Sequence, residues 1–277
     1  MTMEPLLLKI EPFSYGAYTE QVSDFAKWAV EYVHQTKIHG SAGWVTHFQE
    51  YNFNGEKSWK AGVIKRRDFN KELLDSRNDN RGLIEVANRI VVCWGEITTG
   101  YKCQAAPRIR RALKALDTEP DGSGWKVDAS ELFGFTPTNR IASNSKIYEM
   151  YSPHKWTIYD SRVSIALACL VHYYWRARGR KVRPDLLQFP LAKSRTPINP
   201  YPKEFEFLPS DETMQSLLAF TFSSWLLRLI AEILRNQEGY GKPPTIEDPS
   251  KYSPLGANWQ VYHVEMALWM MGENGGW

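Results

Sequence analysis

Cysteine is scarce: Cys93, Cys103 and Cys169 are the only three in 277 residues. Their wide spacing contains no Cys-x-x-Cys pair and no Cys/His set at zinc-ligand intervals, which argues against a structural zinc site or an iron–sulfur cluster. An odd, sparse set also offers no disulfide framework; it suits a reducing compartment, and a cytoplasmic location is expected. Long hydrophobic runs are missing too. The longest apolar stretch, 217–233, is interrupted by Ser223, Ser224, Arg228 and Glu232. It is too broken to cross a membrane and reads as a buried helix. Near the N-terminus, Leu6, Leu7 and Leu8 lie between Glu4 and Glu11 with no basic segment and no small-residue cleavage site, so no secretory signal is expected. Strand signals are few and short, and no repeat or low-complexity tract is visible. A mainly α-helical fold is therefore expected.

Charge of one sign is also in short supply, with a net of only +3. That permits a nucleic-acid partner without demanding one. The basic residues nevertheless cluster: Lys65, Arg66 and Arg67; Arg108, Arg110, Arg111 and Lys114; and Arg176, Arg178, Arg180, Lys181 and Arg183. Each cluster alone is as well explained by a solvated helix end. Together they favour a basic face. Aromatics are plentiful, including 11 Trp and 14 Tyr. They serve either as core filling or as flat surfaces on which bases stack.

Apolar spacing of three and four predicts helices over 18–36, 81–98, 106–116, 139–151, 161–178, 212–236 and 257–271. Residues 40–62, rich in glycine and aromatics, read as a long loop and a candidate pocket wall. Six prolines (Pro184, Pro190, Pro197, Pro200, Pro202, Pro209) make 181–210 a long irregular crossing, and 241–254 is another proline-rich loop. The chain is long enough for a single unit over 1–277, either undivided or as two helical lobes of about 1–125 and 126–277 with a cleft between them.

The stretch 145–163 carries the most chemistry. A helix ends at Ser152-Pro153, residues 156–159 extend, and Asp160 stands just before an apolar helix bearing Val163, Ile165, Ala166, Leu170 and Val171. Aspartate is among the best helix N-caps, because its carboxylate accepts the unpaired amides of the first turn. A capping carboxylate is also held in place and kept ionised, so it can stabilise positive charge or orient a water. Capping and catalysis are compatible readings.

The run from Ser145-Lys146 through Pro153 to Ile158-Tyr159-Asp160-Ser161-Arg162-Val163 resembles bacterial proteins with the 8-oxoguanine DNA glycosylase (OGG) fold, within the helix-hairpin-helix DNA glycosylase superfamily. Asp160 matches that superfamily's aspartate at a helix start. The segment Val264-Glu265-Met266-Ala267-Leu268-Trp269-Met270-Met271-Gly272 resembles the same group's closing helix. The two motifs cover about thirty residues, and their order and separation also fit. Two departures stand out. The hairpin that normally holds a DNA phosphate through a Gly-x-Gly loop corresponds here to Phe135-Thr136-Pro137-Thr138-Asn139-Arg140, which has no glycine after Gly134. The position of the Schiff-base lysine of bifunctional relatives falls near Arg140 or Ile141, and Lys146 lies one to two helical turns further on.

The resemblance implies a helix-hairpin-helix glycosylase-like helical fold with long irregular loops, acting as a monomer on double-stranded DNA with one nucleotide flipped out. Asp160 would be the catalytic carboxylate and Lys146 a less favoured nucleophile, giving a monofunctional enzyme that uses water and leaves an abasic site. Arg162, Arg140, Asn139, Arg176 and Arg178 are the expected DNA contacts. Trp44, Phe48, Tyr51, Trp156 and Tyr159 head the candidates for the base pocket, with Trp59 behind them. No metal or organic cofactor and no membrane partner is expected. The long loops raise the further idea of a bulky modified base, such as one carried by phage DNA, which would make this a defence enzyme. The alternative is a module of the same fold that binds DNA without cutting it.

Overall fold

A computed structural model describes residues 19–38, 40–53, 58–97, 105–117, 141–179, 187, 189, 213–246 and 258–273, with the backbone alone over 213–218. Among these residues the structure is mainly helical and contains no strand, only an isolated bridge between Ile38 and Ser41. The helices are α1 (Thr19–Gln35), α2 (Trp44–Gln49), α3 (Trp59–Asp75), α4 (Asn80–Asn88) continued by a π-helical segment (Arg89–Trp94), α5 (Ala106–Leu116), α6 (Ile141–Tyr151), α7 (Ser161–Ala177), α8 (Thr213–Asn236) and α9 (Val261–Glu273). None of them is long and apolar enough to cross a membrane.

The last helix organises the rest. Every residue of α9 from Val261 to Gly272 is buried. A helix enclosed on all sides has no polar face to give to water, so its neighbours must surround it. α2, α7 and α8 pack against it, while α1 crosses α8, α7 and α2. A second layer forms where α3 lies on α6 and α4, and α5 closes on α4 and α6. Buried side chains from both halves of the chain, Phe25 to Met271, join in one apolar cluster.

The expected loop over 40–62 is overturned. Gly43, at φ 88°, turns the chain into α2, where Trp44, His47 and Phe48 are buried on one face at helical spacing. α3 then starts at Trp59, capped by Ser58, whose hydroxyl accepts from the Ala61 amide. The single helix expected over 81–98 is also corrected. Asp79 caps α4 by accepting from the Arg81 and Gly82 amides, but from Arg89 the chain widens into the π segment.

Candidate functional site

Asp160 owes its place to hydroxyl groups that stand in for strand partners. After α6, a turn in which the Lys155 and Trp156 amides donate to the Ser152 carbonyl reverses the chain. Residues 156–159 lie outside any helix and are buried, so their amides need partners. The Thr157 amide donates to Ser224 Oγ of α8 (3.2 Å), and the Tyr159 amide donates to Ser145 Oγ of α6 (3.0 Å). The second bond sets Asp160 opposite Lys146, since each follows directly on a member of the Ser145–Tyr159 pair. Asp160 then caps α7: Oδ1 accepts from the Arg162 amide (3.0 Å) and the Val163 amide (3.1 Å).

That leaves Oδ2 for Lys146, whose Nζ lies 3.4 Å away. Both side chains are buried, with Asp160 6% and Lys146 3% exposed. Burial pushes the Asp160 carboxyl up. The positive charges of Lys146 and Arg162, with the Val163 amide and the Lys146 hydrogen bond, outweigh it and hold the group below the usual carboxylate range. The Lys146 ammonium also lies against the rings of Phe53 (5.5 Å) and Trp94 (5.9 Å). Its alkyl arm fills space that only a glycine leaves open, because a Cβ on Gly95 would sit 2.8 Å from Lys146 Cδ. The π segment that delivers Trp94 ends at this glycine, and Glu96 follows at φ 52°, a left-handed conformation unusual for a side-chain-bearing residue. Wide π turns and backbone strain gather at functional sites, and here both adjoin Lys146.

Behind this pair is a charge cluster that the sequence reading did not single out. Arg66, fully buried on α3, donates through Nε to Glu149 Oε1 of α6 (2.9 Å) and through Nη2 to Glu265 Oε2 of α9 (2.7 Å). Tyr51 supports the guanidinium with its hydroxyl (3.4 Å) and its ring, and Trp94 lies over the same group. Burial drives the Glu265 carboxyl up to about 8 against the pull of Arg66, with Glu149 and Asp160 adding to the rise. Glu149 is raised for the same leading reason. A signal existed in the sequence: Glu265 interrupts the otherwise apolar run Val264, Met266, Ala267, Leu268, and a charge in such a helix demands a buried partner.

Arg162 does not reach Asp160 with its side chain. Its guanidinium pairs with Glu273 and lies 4.6 Å from the centre of the Trp269 ring. The glycine ending the closing-helix motif now has a reason: a Cβ on Gly272 would fall 2.1 Å from the Arg162 carbonyl oxygen, so only glycine lets α9 approach the first turn of α7.

Of the other expected site residues, Tyr51 joins the charge cluster through Arg66; the rest are not gathered here. Arg176 and Arg178 lie at the opposite end of α7, where Arg178 pairs with Asp24 (2.7 Å). Arg66 leaves the expected basic face for the core. On α5, Arg108, Arg111 and Lys114 are exposed at three-residue intervals. Asn139, Arg140 and the rest of the hairpin segment, like Arg180, Lys181 and Arg183, lie outside the described residues. Trp44, Phe48, Tyr51, Trp156 and Tyr159 are all fully buried, and Trp59 nearly so. The Trp44 and Trp156 indoles donate to the Val30 and Leu116 carbonyls, and Trp156 stacks on Phe220. The rings that touch the cations of the site are Phe53, Trp94, Trp269 and, of the expected set, Tyr51 through Arg66. Among the described residues no group of His, Cys, Asp or Glu could hold a metal ion. No family model, curated protein or solved structure matches the chain.

Proposed function

We propose that this chain is a DNA glycosylase of the helix-hairpin-helix kind, which flips a damaged or modified base out of the duplex and cuts its N-glycosidic bond. One observation carries the reading: an ionised carboxylate, Asp160, held by two backbone amides at the start of a buried helix with an ammonium group 3.4 Å away. The reacting carbon of a nucleotide is shielded inside the stack, so the nucleotide must leave it first. As the base departs, positive charge builds on the deoxyribose, and a pre-oriented carboxylate stabilises that charge without reorganising. The same group guides the attacking water, leaving a free base and an abasic site. Because Asp160 is only 6% exposed, a sugar reaches it when its surroundings part on DNA.

A second reading has its own support. Lys146 stands at ion-pair distance from Asp160, which favours it as the nucleophile over water. Asp160 would first take the ammonium proton; the neutral amine would then attack the sugar carbon as the base leaves with the bonding pair and picks up a proton, and opening of the sugar ring would leave an imine open to strand cleavage.

The test is to incubate the purified protein with duplexes carrying 8-oxoguanine, alkylated bases, uracil or sugar-modified hydroxymethylcytosine, the last representing modified phage DNA. Alkali-revealed breaks on one of them support hydrolysis, and borohydride trapping of a protein–DNA adduct, lost in Lys146→Met, supports the lysine route. Breaks on none, with binding retained, favour a binding module. Asp160→Asn separates cap from catalyst. Asparagine caps about as well, so any stability loss reports the buried Lys146 ammonium left without its carboxylate, up to about 3–5 kcal/mol, and activity is compared on folded protein. Activity should fall by about 100- to 1,000-fold, because the negative charge is gone.

A further inference from the structure

The buried charges around Lys146 and Asp160 do not balance when all are ionised. Arg66 and Lys146 are the cations; Glu149, Glu265 and Asp160 are the carboxylates; each is at most 6% exposed. Arg162 and Glu273 neutralise one another. Two positive groups therefore face three negative ones, and a net buried charge is strongly unfavourable. Hydrogen bonding shows where the excess lies. Each glutamate gives one oxygen to Arg66, while Glu149 Oε2, Glu265 Oε1 and the Tyr262 hydroxyl, all buried, have no hydrogen-bond partner among the described residues. Asp160, in contrast, engages both oxygens.

We propose that Arg66, Glu149 and Glu265 act as positioning residues for the Lys146–Asp160 pair, and that they do so with one proton held on the two glutamates. A proton there makes the cluster neutral and leaves the Lys146 ammonium to Asp160 as its ionised partner. The arrangement is geometrically direct. Glu149 lies one turn beyond Lys146 on α6, and Arg66 ties that turn to α9. Burial places the Glu265 titration at about 8, so the proton is present at neutral pH and leaves above it. Glu265 then competes with Asp160 for Lys146. Each packed element brings its groups: α3 Arg66, α6 Lys146 and Glu149, the start of α7 Asp160, and α9 Tyr262 and His263. The loop after α2 brings Tyr51, α2 itself His47, and the turn after α6 His154. His263 is held neutral by burial, down to about 3, and His154 is lowered for the same reason.

The catalytic use of this device rests on the glycosylase reading, but its protonation does not, and the experiment separates them. Melting temperatures of wild type and Glu265→Gln are compared from about pH 5 to about pH 9. An acid whose folded value lies above its unfolded one stabilises the fold fully below the unfolded value. That stability is lost as pH rises through the folded value. The wild type should therefore lose ground to the variant, which stays neutral, until the pH passes about 8. The histidines change stability equally in both proteins and cancel. A constant difference between the two curves overturns the proton. If Glu265→Gln does not fold, the glutamate carboxyl carbons of the wild type decide by NMR: one titrating at about 8 supports the proposal, and all titrating in the ordinary range near 4.3 overturn it. Positioning has its own readout. The Lys146 Nζ resonance, assigned by its loss in Lys146→Arg, should inflect with the Glu265 titration in the wild type and lose that inflection in Glu265→Gln. No inflection in the wild type overturns positioning. Failure to release any base, with these titrations intact, would sink the enzyme reading alone.

Discussion

The two ends of α7 carry similar residues and have opposite natures. At its start, Asp160 and Arg162 meet Lys146, Glu273 and Trp269 in a setting where each charge has an assigned partner. At its end, Arg176 and Arg178 are exposed, Arg178 sharing Asp24 with the Tyr174 hydroxyl. At ~1.5 Å per residue the two stand ~24 Å apart. Charge type alone does not mark a site. What separates the ends is burial, which makes the Lys146–Asp160 pairing obligatory at the first and leaves Arg178–Asp24 optional at the second.

The largest expected effect comes from breaking the buried end. Arg66→Met removes the cation that Glu149 and Glu265 share, and truncating one partner of a buried ion pair is worth about 3–5 kcal/mol. Protonated glutamates need the arginine less, so the loss should be smaller at about pH 5 than at about pH 8, as read by urea denaturation at both. A loss that does not depend on pH would mean that the arginine supports packing rather than charge.

Gly272→Ala comes next. The two ends of α7 each have a glycine, for different reasons. Gly179, just past α7, takes φ 73° with open space around it, whereas Gly272 has no room beside the Arg162 carbonyl. A backbone atom cannot rotate away, so α9 must shift, and overpacking of this kind typically destabilises by about 1–3 kcal/mol. Thermal melts would show it. An unchanged melting temperature would mean that α9 and α7 lie further apart than described.

The same contrast explains what was legible in the sequence. Helices with an apolar stripe, such as α1, α5, α7 and α8, were expected within a residue or two of where they lie, because spacing alone reports them. Helix α3 was not, because its inward face carries Gly62 and Arg66 among Trp59, Val63, Phe69 and Leu73, and an arginine in that row breaks the apolar pattern. Asp160 was legible because capping is local. The Arg66 cluster was not, because its partners lie 83 and 199 residues away and no local pattern links them. Of the aromatics of 40–62, Tyr51 and Phe53 do reach the site, while Trp44 and Phe48 were over-read as a pocket wall for the opposite reason. Their helical spacing from Trp44 to Phe48 places those residues in the core, and the short helix α2 and the start of α3 take up much of the expected loop.

The smallest effect is expected at the exposed end, where it tests the comparison from the other side. Arg178 pairs with Asp24 with about half of each side chain in water, and its guanidinium lies 5.6 Å from the Tyr174 ring. Water screens such a pair, and holding two mobile side chains together opposes the gain, so Arg178→Ala should change stability by less than about 1 kcal/mol. Its effect on the proposed DNA binding is a separate matter. A phosphate contact at this end would weaken binding alike for every sequence and reduce the salt dependence of affinity, without changing the rate of base release once DNA is saturating. Measuring binding against salt for Arg178→Ala therefore assigns the end of α7 to the proposed DNA path, or removes it, and under the glycosylase proposal base release at the start of the same helix would be unchanged.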